Sequence, residues 1–120
     1  TNDVTAIQSA AELGQEWAGT RDIEEVKEIL TTAIGDFLKV VRESNPTAQI
    51  IWGYGMLGDN FLSVIREAVE GYAEQTADSR IHFLQLPDTT PDTVGSRLHP
   101  GMKAHQITAK EIEKYLQELL

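Results

Sequence analysis

Two short apolar runs, Gln49 to Met56 and Arg80 to Leu86, constrain this chain more than any other feature. The first reads Gln-Ile-Ile-Trp-Gly-Tyr-Gly-Met; the second reads Arg-Ile-His-Phe-Leu-Gln-Leu and stops at Pro87. Runs of this length, bounded by glycine and proline, predict strands buried on both faces. Each is flanked by segments whose apolar residues recur at helical spacing. Ile23, Val26, Leu30, Ala33, Phe37 and Val40, widened by Ile29 and Val41, predict one helix and its inward stripe. Asp22 and Glu25 form a capping-box pattern at its start, and Asn45-Pro46 ends it. Phe61, Val64, Ile65, Ala68, Val69 and Tyr72 predict a second helix, finishing near Ala77-Asp78-Ser79, with Asp59 and Asn60 as capping candidates. A third starts near Met102, with Ala109, Ile112, Leu116 and Leu119 facing inward. Ala6 to Trp17 has weaker periodicity and reads as loop plus a short helix.

Helix, strand, helix, strand, helix is the order of a parallel sheet covered by helices. The expected fold class is therefore α/β, a three-layer α/β/α sandwich of flavodoxin-like type. No internal repeat, low-complexity tract or linker interrupts residues 1–120, so a single domain is expected. Two apolar strands alone would leave an unpaired sheet edge, which natural proteins avoid. The rest of the sheet is expected outside these residues, in an N-terminal part of the same protein or in a self-associated copy. A start at Thr1-Asn2-Asp3, with no initiator Met, agrees with a processed or trimmed C-terminal part.

Charge and composition exclude several classes. With 19 acidic against 10 basic side chains, the net charge of −9 argues against nucleic acid, whose phosphates need clustered Lys and Arg. No apolar run approaches transmembrane length and no basic amphipathic helix suggests a membrane surface. The absence of cysteine removes disulfides, thiolate metal sites and a Cys nucleophile. No P-loop, dinucleotide fingerprint or metal cluster is visible, so neither cofactor nor metal is expected.

In open α/β sheets, ligands bind at the C-terminal ends of the strands. Three segments would converge there: Asn2-Asp3, the turn from Gly53 to Gly58, and the polar loop from Asp88 to Gly101 that holds His99. A histidine on such a loop can take a proton from a hydroxyl. It can equally be a partly exposed loop residue that introduces a helix. Trp52 and Tyr54 share one strand face and, with Met56, could line a substrate pocket; core packing is the competing role. His82 alternates with Ile81 and Phe83 in a strand, and His105 falls on the inward side of the last helix, so both read as structural. Ser9, Ser44, Ser63, Ser79 and Ser96 are the serines, and none sits in a Gly-x-Ser-x-Gly elbow or a Gly-Asp-Ser block.

The run Leu98-His99-Pro100-Gly101-Met102-Lys103-Ala104-His105 is similar to the last block of SGNH (GDSL-type) hydrolases. There, His-Pro is followed by a helix carrying a Gly-His or Ala-His pair. Thr1-Asn2-Asp3 resembles the tail of that superfamily's Gly-x-Asn-Asp block. Trp52 to Gly58, Phe83-Leu84-Gln85-Leu86-Pro87 and the Gly-x-x-x-His-Pro pattern ending at Pro100 also resemble esterases near carbohydrate esterase family two. The resemblance covers essentially the whole chain, and the ordered pair of motifs is more specific than either alone.

The resemblance implies an ester hydrolase acting on an O-acyl group, in one form a carbohydrate O-acetyl esterase, with a small-molecule or carbohydrate ester as substrate. His99 matches the general base and Asn2 the side-chain donor of the oxyanion hole; losing such a donor costs about 10²–10³ in rate. The serine nucleophile and an oxyanion-hole glycine belong to blocks not found in these residues. One departure stands out: most SGNH hydrolases place an Asp three residues before the histidine, where this chain has Ser96. Carbohydrate esterase family two resembles this case, because its members can use a Ser-His dyad with a backbone carbonyl orienting the ring. Asp88 and Asp92 are the nearby carboxylates that could stand in. The alternatives are a non-catalytic or self-associating α/β subdomain with a relic site, or a flavodoxin-like response or ligand-binding domain.

Overall fold

The computed structural model describes residues 22–120, which fold as two units. The described part of the first is 22–52 with 60–83; the second is Gly53–Asp59 with Leu84–Leu120. In chain order the elements are α1 (Ile23–Ser44), β1 (Ile50–Gly55), α2 (Leu62–Gln75), β2 (Ile81–Leu86), a 3-10 turn (Ser96–Leu98) and α3 (Met102–Leu119). β1 and β2 pair in a parallel two-stranded sheet. The α/β class and the strand and helix order expected from sequence are those observed. Asn2, and the loop with short helix expected over Ala6 to Trp17, lie outside the described residues.

In the first unit, α1 starts where Asp22 accepts the Glu25 N–H at 2.7 Å, satisfying one of the open donors of the first turn. It ends at Asn45, whose side-chain amide donates to Val41 O at 3.0 Å. The buried face is Val26, Ile34 and Leu38, with Leu30 half-buried between them. This corrects the stripe read from sequence: Ile23, Ile29, Ala33, Phe37 and Val40 are exposed. Two neighbouring i, i+4 rows of α1 are apolar, and periodicity alone does not say which row meets α2. The row carrying Val26, Ile34 and Leu38 is covered, and a Cβ on Gly35 would lie 3.5 Å from the Tyr72 ring. Phe37 does meet Trp52, edge to face at 5.8 Å between ring centroids.

α2 buries Val64, Ile65, Ala68 and Val69, as its pattern predicted. Its N-cap, however, is Phe61 in left-handed backbone with no side-chain cap, so neither Asp59 nor Asn60 occupies the capping position. Beyond its end, Asp78 gathers the start of β2. It accepts from Arg42 Nε at 2.7 Å and Nη2 at 3.1 Å, and from Arg80 N at 3.0 Å. Arg42 Nη1 also donates to Asn45 O and Ala48 O, at 2.8 and 2.7 Å, tying the end of α1 to the lead-in of β1. The guanidinium of Arg42 holds the Asp78 carboxyl below its ordinary value, helped by the Arg80 N–H and opposed by partial burial.

In the second unit, α3 buries Ala104 and Thr108 and half-buries Ile112, Tyr115 and Leu119. Ala109, Leu116 and His105, read from sequence as inward, are exposed instead. The face is turned because Ala104 and Thr108, too small or too polar to mark a stripe, are the residues that pack.

Candidate active site

β1 and β2 end in the second unit, and the chain after each strand is tied to the chain after the other. Gly55, at φ 144, lies against β2: a Cβ there would stand 2.4 Å from Leu86 O. Only glycine permits that approach. One residue further, Met56 O accepts the Thr89 N–H at 2.9 Å. Asp88 Oδ1 then accepts from both Gly58 N and Thr89 N, each at 2.9 Å. These bonds fix the floor at the strand ends, where a parallel sheet presents its ligand site.

The loop that follows carries His99. Thr90 O accepts the Thr93 and Val94 N–H groups at 2.9 Å, forming its first turn. The loop then closes on itself: Gly95 N donates to His99 O at 2.7 Å and Gly101 N to Thr93 O at 2.9 Å. Val94 and Pro100 form an isolated antiparallel bridge at the same place. The closure needs bare backbone on both sides, since a Cβ on Gly95 would lie 2.8 Å from Gly101 Cα and one on Gly101 would lie 2.9 Å from Thr93 O. Within the closure, Ser96–Leu98 make a 3-10 turn and His99 N donates to Ser96 O at 3.1 Å.

His99 is extended, at φ −81 and ψ 161, as its position before Pro100 predicts. It is exposed, and its backbone is anchored on both sides. Among the described residues no hydrogen bond reaches its ring. Asp88, a stand-in orienter in the sequence reading, spends Oδ1 on the two loop N–H groups. Ser96, at the position of the usual carboxylate, meets His99 through its main-chain carbonyl.

Of the tentative substrate residues, Met56 borders an open cavity of about 490 Å³, with Asp88, Thr90, Val94 and Leu98 on its other sides. Trp52 is engaged with Phe37 in the first unit. Tyr54 is a half-buried residue of β1. His82 Nε2 bonds Gln49 Oε1 at 2.8 Å. Val94, Leu98 as a cavity wall and the glycine pair were not singled out from sequence, and Asp88 was read as a stand-in orienter rather than as the tie between the two loops. The recurrence of glycine on both sides of His99, at 95 and 101, was the available signal for a close backbone approach. The larger open depression, about 750 Å³, lies along α1 and α2 among Glu24, Glu28 and Glu67, and contains none of the candidate residues.

No protein-family model matches the chain, and no curated protein does. Among solved structures it is similar to an acetyl xylan esterase from the rumen bacterium Butyrivibrio proteoclasticus. The TM-score is 0.76 and the identity 46%, over 82% of this chain and 26% of that one. The chain thus spans about a quarter of the length of that esterase. The likeness to carbohydrate esterases read from sequence therefore holds: in fold and in sequence, the chain is a relative of a carbohydrate esterase over the part that the two share.

Proposed function

We propose that the protein is an ester hydrolase of the SGNH type that removes acetyl groups from a carbohydrate. The observation that carries this reading is the 46% identity with an acetyl xylan esterase. The backbone-anchored His99 at the end of a parallel strand pair is the chemistry that agrees with it.

In this reading His99 accepts the proton of a serine hydroxyl as that oxygen attacks the ester carbonyl. The carbonyl oxygen becomes an oxyanion, and Asn2 donates a hydrogen bond to it. Collapse expels the sugar hydroxyl, which takes the proton back from His99, and water repeats the sequence to free acetate. The serine comes from outside these 120 residues, in another part of the same protein or in a second copy. Ser63 lies within α2, Ser44 closes α1 and Ser79 precedes β2, so none has the exposed strand-to-helix turn that a nucleophile needs. With Ser96 three residues before the base, the resemblance to carbohydrate esterase family two makes a main-chain carbonyl the candidate orienter of the ring.

The test is acetate release from acetylated xylan by the full-length protein and by its His99→Ala variant. The variant is expected to lose at least about 10³-fold in kcat, in the range seen when a hydrolase loses its base. Near-normal release would remove His99 from the mechanism. The 120 residues alone are expected to give negligible release and no stoichiometric labelling by a serine-directed inhibitor.

A further inference from the structure

Two consecutive residues before His99 occupy left-handed backbone without being glycine: Arg97 at φ 54 and ψ 34, and Leu98 at φ 63. That region is unfavourable for L-residues, because Cβ crowds the following carbonyl oxygen. Strain of this kind persists where the surroundings enforce it, and it concentrates at sites that use it. Burial is not what Leu98 gains, since 80% of its surface is exposed. What Leu98 does is border the cavity of about 490 Å³, together with Met56 and Val94. Met56 is itself left-handed, at φ 73. Two left-handed residues, Met56 and Leu98, thus border one cavity beside the candidate base, while Phe61 and Ala77 take that backbone elsewhere.

We propose that Leu98 is a substrate-contacting, specificity-determining residue. Held into solvent by the left-handed pair, its side chain forms an apolar wall against which the C–H face of the acetylated sugar ring lies. This rests on the reading of His99 as the base, because Leu98 is its chain neighbour. The lining suits a pyranose: Met56, Val94 and Leu98 offer aliphatic surface, while the Asp88 carboxylate and Thr90 hydroxyl border the same space and can bond ring hydroxyls. The cavity is also within the size range of small-molecule sites, about 300–1,000 Å³. Leu98 selects for the ring and takes no part in the proton transfer.

The experiment compares the full-length protein with its Leu98→Asn and His99→Ala variants on two esters, an acetylated xylo-oligosaccharide and ethyl acetate, and follows thermal unfolding of each. Asn tolerates left-handed backbone, so Leu98→Asn relieves strain while removing the apolar wall. The expected result is a kcat/KM about tenfold lower on the sugar ester, mainly through KM, as for the loss of a partly covered aliphatic side chain. Ethyl acetate, which has no ring to lie against that wall, is expected to lose distinctly less kcat/KM than the sugar ester, and the thermal midpoint stays the same or rises. A lower midpoint with equal losses on both esters would make Leu98 a packing residue and overturn the proposal. So would wild-type kinetics on the sugar ester with His99→Ala inactive, and in that case only the role of Leu98 falls. Activity retained in His99→Ala would remove the base, and the proposal with it.

Discussion

Gly55 and Leu86 meet so closely that a Cβ on residue 55 would stand 2.4 Å from the Leu86 carbonyl oxygen. Both the contact and the φ of 144 exclude a side chain. Gly55→Ala is expected to cost about 3 kcal/mol, combining backbone strain with a clash against main chain that cannot swing aside. Gly71 in α2 is the internal control, since a Cβ there meets nothing within 4 Å. Gly71→Ala is expected to gain up to about 1 kcal/mol from helix propensity. Urea unfolding of the two variants should move the midpoint in opposite directions.

Arg42 and Asp78 form a two-pronged ion pair with side chains only 17% and 15% exposed, so solvent screens it less than a surface pair. Removing one partner strands the other, and Arg42→Met is expected to cost about 2–3 kcal/mol. The pH dependence has a definite sign. The folded-state pKa of Asp78 is lowered, so its contribution is complete above the unfolded carboxylate value, about 3.9, and is lost as pH falls through the folded value. The stability difference between wild type and Asp78→Asn should therefore shrink on acidification below about pH 4. A difference that stays constant from pH 7 to pH 3 would contradict the assignment.

The closure around His99 makes Gly101→Ala a sensitive test, because the new methyl would lie 2.9 Å from Thr93 O. The bond from Gly101 N to that oxygen must lengthen to admit it. A loss of about 1–3 kcal/mol is expected, with activity falling further than the unfolded fraction explains. Hydrogen exchange should show the Gly95 and Gly101 amides losing protection first.

Asp88 accepts two backbone N–H groups on one carboxylate oxygen. Asn keeps an acceptor there and Ala does not. Asp88→Ala is expected to cost about 1–3 kcal/mol, and Asp88→Asn distinctly less, as measured by chemical unfolding. Equal losses would mean that the negative charge, not the acceptor, holds the two loops.

The elements were legible in the sequence because their ends carry local signals. Asp22 caps α1, Asn45-Pro46 closes it, Pro87 stops β2 and Pro100-Gly101 introduces α3. His99 and its extended backbone were legible for the same reason. The covered face of α1 was not, because Ile29, Phe37 and Val40 compete with Ile34 and Leu38, and only the partner helix decides between them. The bond from Asp88 to Gly58 spans 30 residues and leaves no trace in either neighbourhood. The left-handed pair at Arg97 and Leu98 was invisible because neither residue type favours that backbone.

The clasp around His99 is made by main-chain atoms and two residues that lack side chains. Ser96, Arg97 and Leu98 hang inside it as a detachable cassette. Replacing them can redraw the mouth of the cavity while the mounting of the histidine stays as it was. In evolutionary terms, substrate preference and proton chemistry are written on adjacent residues yet free to diverge separately.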